Sequence, residues 1–331
     1  MSEIKDISIV GAGPVGLFGA FYAGLRGMST RVIDSLDSPG GQLTALYPEK
    51  PIYDMPGFPE VSGSELAKGL LTQANRFQPE IVLGARCETL TPEGGNWVLQ
   101  TSAGQHISRT VIICAGIGAF SPTKMDVPLE EDYLGRGLMY GVREKDVLRG
   151  KRVIIVGGGD SALDWALALE NIAEEVTLIH RRDGFRAHEN SVRKLMASSV
   201  NVRVWEVVVT LNGGDRLTSA TVENRQTQER NELPCDELVV NIGFKTTLGP
   251  LKKWGLELDG NKIRVNERME TNLGGVYAAG DICTHEGKLD LIATGVGEVC
   301  TAVNYAKTFI DPNAKAFPGH SSDMELPALR K

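Results

Sequence analysis

Residues 7–34 read ISIVGAGPVGLFGAFYAGLRGMSTRVID, and residues 152–186 read RVIIVGGGDSALDWALALENIAEEVTLIHRRDGFR. Each stretch opens on a short run rich in Ile and Val, passes through a glycine cluster, continues at helical length and ends in a second apolar run. That is the strand–turn–helix–strand order of a βαβ unit, which implies a parallel sheet. Two such units in one chain imply two dinucleotide sites. The expected class is therefore α/β, with two doubly wound, Rossmann-like nucleotide-binding domains.

In the first unit Gly11, Gly13 and Gly16 form GxGxxG directly after the strand. The first glycine permits a tight turn, the second lets the backbone approach a pyrophosphate, and the third lets helix and strand pack closely. Asp34 ends the second strand, about 20 residues past the fingerprint, where a carboxylate can accept both ribose hydroxyls. A 2′-phosphate would be repelled there, so this site suits FAD or NAD. In the second unit Gly157, Gly159 and Ala162 form GxGxxA, and no acid stands at the ribose position. His180 is followed instead by Arg181, Arg182 and Arg186. The planar donor fork of arginine matches phosphate, so the second site is expected to take NADPH over NADH.

The run 7–25 carries no charge, but its glycines and Pro14 fit a strand, turn and helix better than a membrane span or signal peptide. No other targeting segment stands out, and the expected location is the cytoplasm, with no membrane partner. The formal net charge of −7 gives no global field for nucleic acid. Five cysteines, Cys87, Cys114, Cys235, Cys283 and Cys300, are scattered without a CxxC or CxxxxC, which argues against a disulfide framework. The Gly- and Pro-rich segment 39–60 reads as a long functional loop, and 133–149 as a connector. Strands are expected at 97–101, 111–115, 202–209, 238–242 and 276–281, a helix at 294–309, and few helix signals in the tail from 312.

Four motifs, GGQL (40–43), GGGDSA (157–162), HRRDGFRA (180–187) and VYAAGD (276–281), together resemble the thioredoxin reductase superfamily. The resemblance spans nearly the whole chain. It implies an NADPH domain (119–247) inserted into a split FAD domain (1–118 and 248–331), with Asp281 on the ribityl or pyrophosphate part of the flavin. Thioredoxin reductases carry a CxxC shortly before the second fingerprint. Here that stretch, GRGLMYGVREKDVLRGKR (135–152), holds no cysteine, so thiolate exchange next to a flavin has no thiol pair to use.

What remains is similar to the thioredoxin-reductase-like ferredoxin/flavodoxin–NADP⁺ reductases, through LYPEKPIYD (46–54), the cysteine-free WALALE stretch (165–170) and FPGHSS (317–322). This resemblance implies a homodimer in which Tyr47 stacks on one flavin face and His320, from the partner's tail, covers the other, with Ser322 beside it. It further implies FAD contacts at Asp34, Gln42, Cys87 (through its backbone), Phe120 and Asp281. Hydride would pass from NADPH to flavin N5, and single electrons would then pass to ferredoxin or flavodoxin. Lys50, Lys288, Lys307 and Lys315 are loose candidates for a basic docking patch. Other readings are an NADPH-dependent disulfide reductase without its own dithiol, a flavin monooxygenase, for which no FxGxxxHxxxW is present, and a non-catalytic flavin redox sensor.

Overall fold

A computed structural model describes residues 3–142, 144–323 and 326–328, without the side chains of 119–121, 245, 246 and 323. The chain forms two compact units: Met1–Ala119 together with Thr246–Lys331, and Phe120–Lys245.

The first unit is built on a seven-stranded sheet. Its order is Glu80–Val82, Thr30–Ile33, Lys5–Val10, Gly104–Ile113, Asn96–Thr101 and Cys87–Glu93, with Val276–Ala278 also paired to Gly104–Ile113. The strands around Lys5–Val10 are parallel, with Ile9 opposite Val32 on one side and Ile112 on the other. Ile7, Ile9, Val32, Ile112 and Tyr277 are essentially inaccessible. Both faces of this parallel core are covered, which is why its strands read as unbroken apolar runs rather than alternating ones.

The helix Pro14–Leu25 starts with proline at its first turn, where a missing N–H removes nothing from the helix. It ends at Arg26, followed by Gly27 at φ +65°. Its Gly19 admits the helix Ile292–Ile310 so closely that a Cβ there would lie 2.6 Å from Val299 Cγ2. The two helices thus share one apolar layer over the sheet, with Leu17, Ala20, Val299 and Val303 in a single cluster.

The second unit holds a five-stranded parallel sheet in the order Leu138–Met139, Glu237–Asn241, Arg152–Gly157, Glu175–His180, Asn201–Val204. The chain leaves Arg152–Gly157 toward Glu175–His180 through the helix Asp160–Leu169, and Glu237–Asn241 lies on the opposite side. That reversal of strand order opens the crevice in which doubly wound sheets bind ligands. A three-stranded antiparallel sheet, Glu206–Gly213, Leu217–Asn224 and Arg230–Pro234, completes the unit.

Local expectations are revised at three places. The single strand expected at 202–209 is two strands in two sheets, Asn201–Val204 and Glu206–Gly213, because Trp205 turns the chain at φ +61°. The loop 39–60 contains the short helix Gln42–Ala45 and the strand Pro51–Ile52. The connector 133–149 contributes Leu138–Met139 to the edge of the parallel sheet. Two paired residues leave no periodicity to read.

Candidate dinucleotide sites

The first glycine loop separates three jobs among three residues. A Cβ on Gly11, which sits at φ +112°, would fall 2.3 Å from the Cys114 carbonyl oxygen. One on Gly16 would fall 1.9 Å from the Gly11 oxygen. These two are glycine because backbone fills the space. Gly13 is different: its nearest neighbour would be Gly41 Cα at 3.9 Å, so its face is open. Gly13 also caps the Pro14–Leu25 helix with no side-chain hydrogen bond, leaving first-turn N–H groups for an anion.

The loop 40–42 closes on this one. Gly40 N–H donates to the Ala12 oxygen at 2.8 Å, and the Gln42 amide lies 3.2 Å from where a Gly116 Cβ would be. Asp34 ties the site to the second strand, accepting from Ala12 N–H at 2.6 Å and Leu36 N–H at 2.8 Å. Burial raises its pKa while those N–H groups lower it. A carboxylate has about four lone-pair positions, more than the backbone N–H groups here use, so acceptor capacity remains for a hydroxyl-bearing ligand. Cys87 is buried and lies within the field of Asp34.

Tyr47 and Asp281 are brought close to one another. Burial raises the Tyr47 phenol, and the nearby carboxylates of Asp281 and Asp54 raise it further. Gly63 lets this segment pack tightly, since a Cβ there would lie 2.6 Å from the Tyr47 carbonyl oxygen. Asp281 is half-buried, and among the described residues its carboxylate has no hydrogen-bond or ion-pair partner. Burial pushes its pKa up and Asp290 adds to that, while the charges of Lys288 and Lys262 pull it down. A half-buried carboxylate without a donor fits a hydroxyl-bearing ligand such as the ribityl chain of FAD.

The tail is exposed. His320 stands edge-on to Phe317 at 5.5 Å between ring centroids, and Ser322 lies in the short turn Ser321–Asp323. The side chain of Phe120 lies outside the described residues. One docking candidate is corrected: Lys288 is buried, with 4% of its side chain exposed, and is ion-paired to Glu298 at 2.7 Å.

The second glycine loop repeats the first. A Cβ on Gly157 would meet the Asn241 oxygen at 2.3 Å and Ala162 Cβ at 2.7 Å, whereas Gly159 faces only the Arg186 oxygen at 3.8 Å. The arginine segment is tied to this loop by backbone. Arg186 N–H donates to the Gly158 oxygen at 2.7 Å, and His188 N–H donates to Asp160 Oδ1 at 2.9 Å. His180 stacks on Phe185 at 5.2 Å, and its Nε2 lies 3.2 Å from the Gly184 oxygen. A Cβ on Gly158 would strike the His180 ring. Burial lowers the His180 pKa, the Gly184 carbonyl opposes that, and Arg181 and Arg182 lower it further. Arg181, Arg182 and Arg186 are all exposed, and among the described residues none of their guanidinium groups has a hydrogen-bond or ion-pair partner. Three free guanidinium groups on a fixed loop fit a phosphate monoester.

Sequence reading missed two groups. Asp160, inside GGGDSA, anchors the arginine segment through His188, which the sequence gives no reason to single out. Glu298 sits in a buried polar cluster whose members share no recognisable spacing. The five cysteines are all free, and four of them are buried. Burial pushes the thiols of Cys87, Cys235 and Cys283 up to about 12 and that of Cys300 to about 11, and raises Cys114 as well. Among the described residues no group of His, Cys, Asp or Glu is arranged to hold a metal, and no helix is long and apolar enough to cross a membrane.

The chain resembles known proteins along nearly its whole length. A family model described as pyridine nucleotide-disulphide oxidoreductase matches residues 5–304. Ferredoxin–NADP reductase 2 of Shouchella clausii is 50% identical over 324 residues, 97% of this chain and 98% of that protein. Ferredoxin–NADP reductase of Symbiobacterium thermophilum is 50% identical over 328 residues, again 97% and 98%. Among solved structures, T. acidophilum thioredoxin reductase has a TM-score of 0.76 at 27% identity, covering 95% of this chain and 100% of its own.

Proposed function

The chain belongs to the pyridine nucleotide-disulphide oxidoreductase family, and from that premise we propose that it is an FAD-dependent oxidoreductase carrying electrons between NADPH and a ferredoxin or flavodoxin. One observation carries the reading. Two glycine loops of the same geometry stand in one chain, with a carboxylate behind one and three unpaired guanidinium groups behind the other.

FAD belongs to the unit Met1–Ala119 with Thr246–Lys331, and NADPH to Phe120–Lys245. Backbone at Gly11, Gly13 and Gly16 receives the FAD pyrophosphate, and Asp34 accepts its ribose hydroxyls. Gln42 and the main chain at Cys87 complete the pocket on this unit. Tyr47 offers a flat aromatic face to the isoalloxazine, and Asp281 accepts from the ribityl hydroxyls. At the other site, Gly157, Gly159 and Ala162 receive the NADPH pyrophosphate, while Arg181, Arg182 and Arg186 grip the 2′-phosphate and His180 supports them. When bound, the isoalloxazine converts between the two-electron chemistry of nicotinamide and the one-electron chemistry of an iron–sulfur or flavin partner. The protein's share is position and electrostatics.

The state of the cysteines favours an electron-carrier protein over a disulfide as acceptor. The thiolate is the reactive form, and every thiol in this chain is held above its ordinary pKa. In a homodimer the tail bearing His320 and Ser322 covers the flavin of the partner subunit. The cytoplasm is the proposed location.

Steady-state oxidation of NADPH tests the reading. Ferredoxin coupled to cytochrome c should support turnover, and thioredoxin with a disulfide dye should not. Replacing all five cysteines conservatively should leave the ferredoxin reaction largely intact. Loss of turnover from a single Cys→Ser change in a protein that keeps its flavin would restore a thiol route and overturn the proposal.

A further inference from the structure

Glu298 is a buried carboxylate in the middle of the Ile292–Ile310 helix. Its Oε2 accepts from Gly280 N–H at 2.8 Å and from Lys288 Nζ at 2.8 Å. Its Oε1 lies 2.7 Å from Lys288 Nζ and 3.1 Å from His285 Nε2. The Cys283 thiol points at it from 3.7 Å. Every one of these partners lies between residues 280 and 288, the segment that carries Asp281. Removing two charges from water is unfavourable unless geometry compensates, so a buried ion pair is weak evidence for stability and better evidence for fixing one arrangement.

The arrangement it fixes is the turn that carries Asp281. Gly280, at φ +83°, is held through its N–H by Glu298, and its oxygen accepts from Cys283 N–H at 3.1 Å and from the Cys283 thiol at 3.2 Å. The same helix presses on this turn from a second point. A Cβ on Gly295 would lie 3.1 Å from Gly280 Cα and 2.6 Å from Val15 Cγ2, next to the first glycine loop. Asp281 has no partner of its own among the described residues, so its direction is set by the backbone on either side of it.

We infer that Glu298, with Lys288, is a positioning residue for Asp281, clamping the 280–288 segment so that the Asp281 carboxylate is presented to the hydroxyl-bearing part of FAD. The inference rests on the assignment of FAD to this unit. It assigns Glu298 no contact with the flavin.

A double-mutant cycle on FAD affinity tests it, because such a cycle isolates coupling from simple destabilisation. FAD is removed from each full-length protein, and its dissociation constant is measured by flavin fluorescence alongside thermal melting. Asp281→Ala should weaken FAD by about tenfold or more, the fold-change of one lost charge-assisted hydrogen bond. Glu298→Gln keeps the shape and should weaken FAD by a similar factor in the native background, but hardly at all once Asp281 is alanine. Gly295→Ala, an uncharged change where the helix meets Gly280, repeats the cycle should Glu298→Gln fail to fold. Losses that simply multiply in both cycles overturn the positioning role and leave the FAD assignment standing. A native protein that binds no FAD, or an Asp281→Ala variant with unchanged affinity, overturns the FAD reading itself and the inference with it.

Discussion

The two glycine loops are close copies in backbone and near opposites in charge. In each, the first glycine is compelled by a carbonyl oxygen where a Cβ would go, and the second is open. The difference lies at the end of the following strand. Asp34 is drawn into its loop by two backbone N–H groups. Arg181, Arg182 and Arg186 stand outward without partners, on a segment whose backbone is tied to Gly158 and Asp160. On the function proposed above, the βαβ frame fixes where a pyrophosphate goes, and the residues after its second strand choose which nucleotide comes with it.

The largest effects should come from filling the open glycine in either loop. Gly13→Val should give a folded protein that copurifies without yellow flavin, because the added methyls occupy the approach of the pyrophosphate. Gly159→Val should keep the flavin and lose NADPH saturation. Absorbance at the flavin band and NADPH titration separate the two. A Gly13→Val protein with stoichiometric FAD would falsify the equivalence of the loops. Gly11→Ala and Gly16→Ala, by contrast, should fail to fold in this region, since backbone atoms fill both places.

The charge difference should appear at intermediate size. Alanine at any one of Arg181, Arg182 or Arg186 is expected to lower kcat/KM for NADPH by about tenfold or more, with little change for NADH. Equal losses with both cofactors would show that these side chains do not read the 2′-phosphate.

The smallest effect concerns a feature with no counterpart at the second site, the exposed tail. A stacked ring contributes about 0.5–1.5 kcal/mol. Ending the chain before Phe317 should therefore leave FAD bound while shifting its absorption band and changing its rate of reduction by NADPH severalfold. Identical spectra and rates would remove His320 from the site.

Much of this was readable before any coordinates. The glycine loops declare themselves because backbone fills the Cβ space at Gly11, Gly16 and Gly157, and the arginines because three of them follow one strand together. The edge strand Leu138–Met139 was not legible, since two residues carry no period. Neither was the break at Trp205, where a bulky residue adopts a conformation its chemistry disfavours. The Glu298 cluster was hidden for another reason. Its carboxylate sits in an apolar helix where hydropathy reads one charge on a solvated face, and only the return of 280–288 over that helix turns it inward.

The division of the first unit has a consequence for how the protein is made. Val276–Ala278 is fully buried in its sheet, and Ile292–Ile310 supplies half of its helical layer. Both emerge from the ribosome well after Gly104–Ile113, the strand that waits for them. At about 5–20 residues per second, that interval is roughly ten to thirty seconds. Throughout it the nascent chain exposes an unfinished sheet edge and an uncovered helix, while the continuous stretch 120–245 has all it needs to fold. The first unit is thus begun first and finished last, and its early half is the part of the polypeptide with most reason to meet a chaperone.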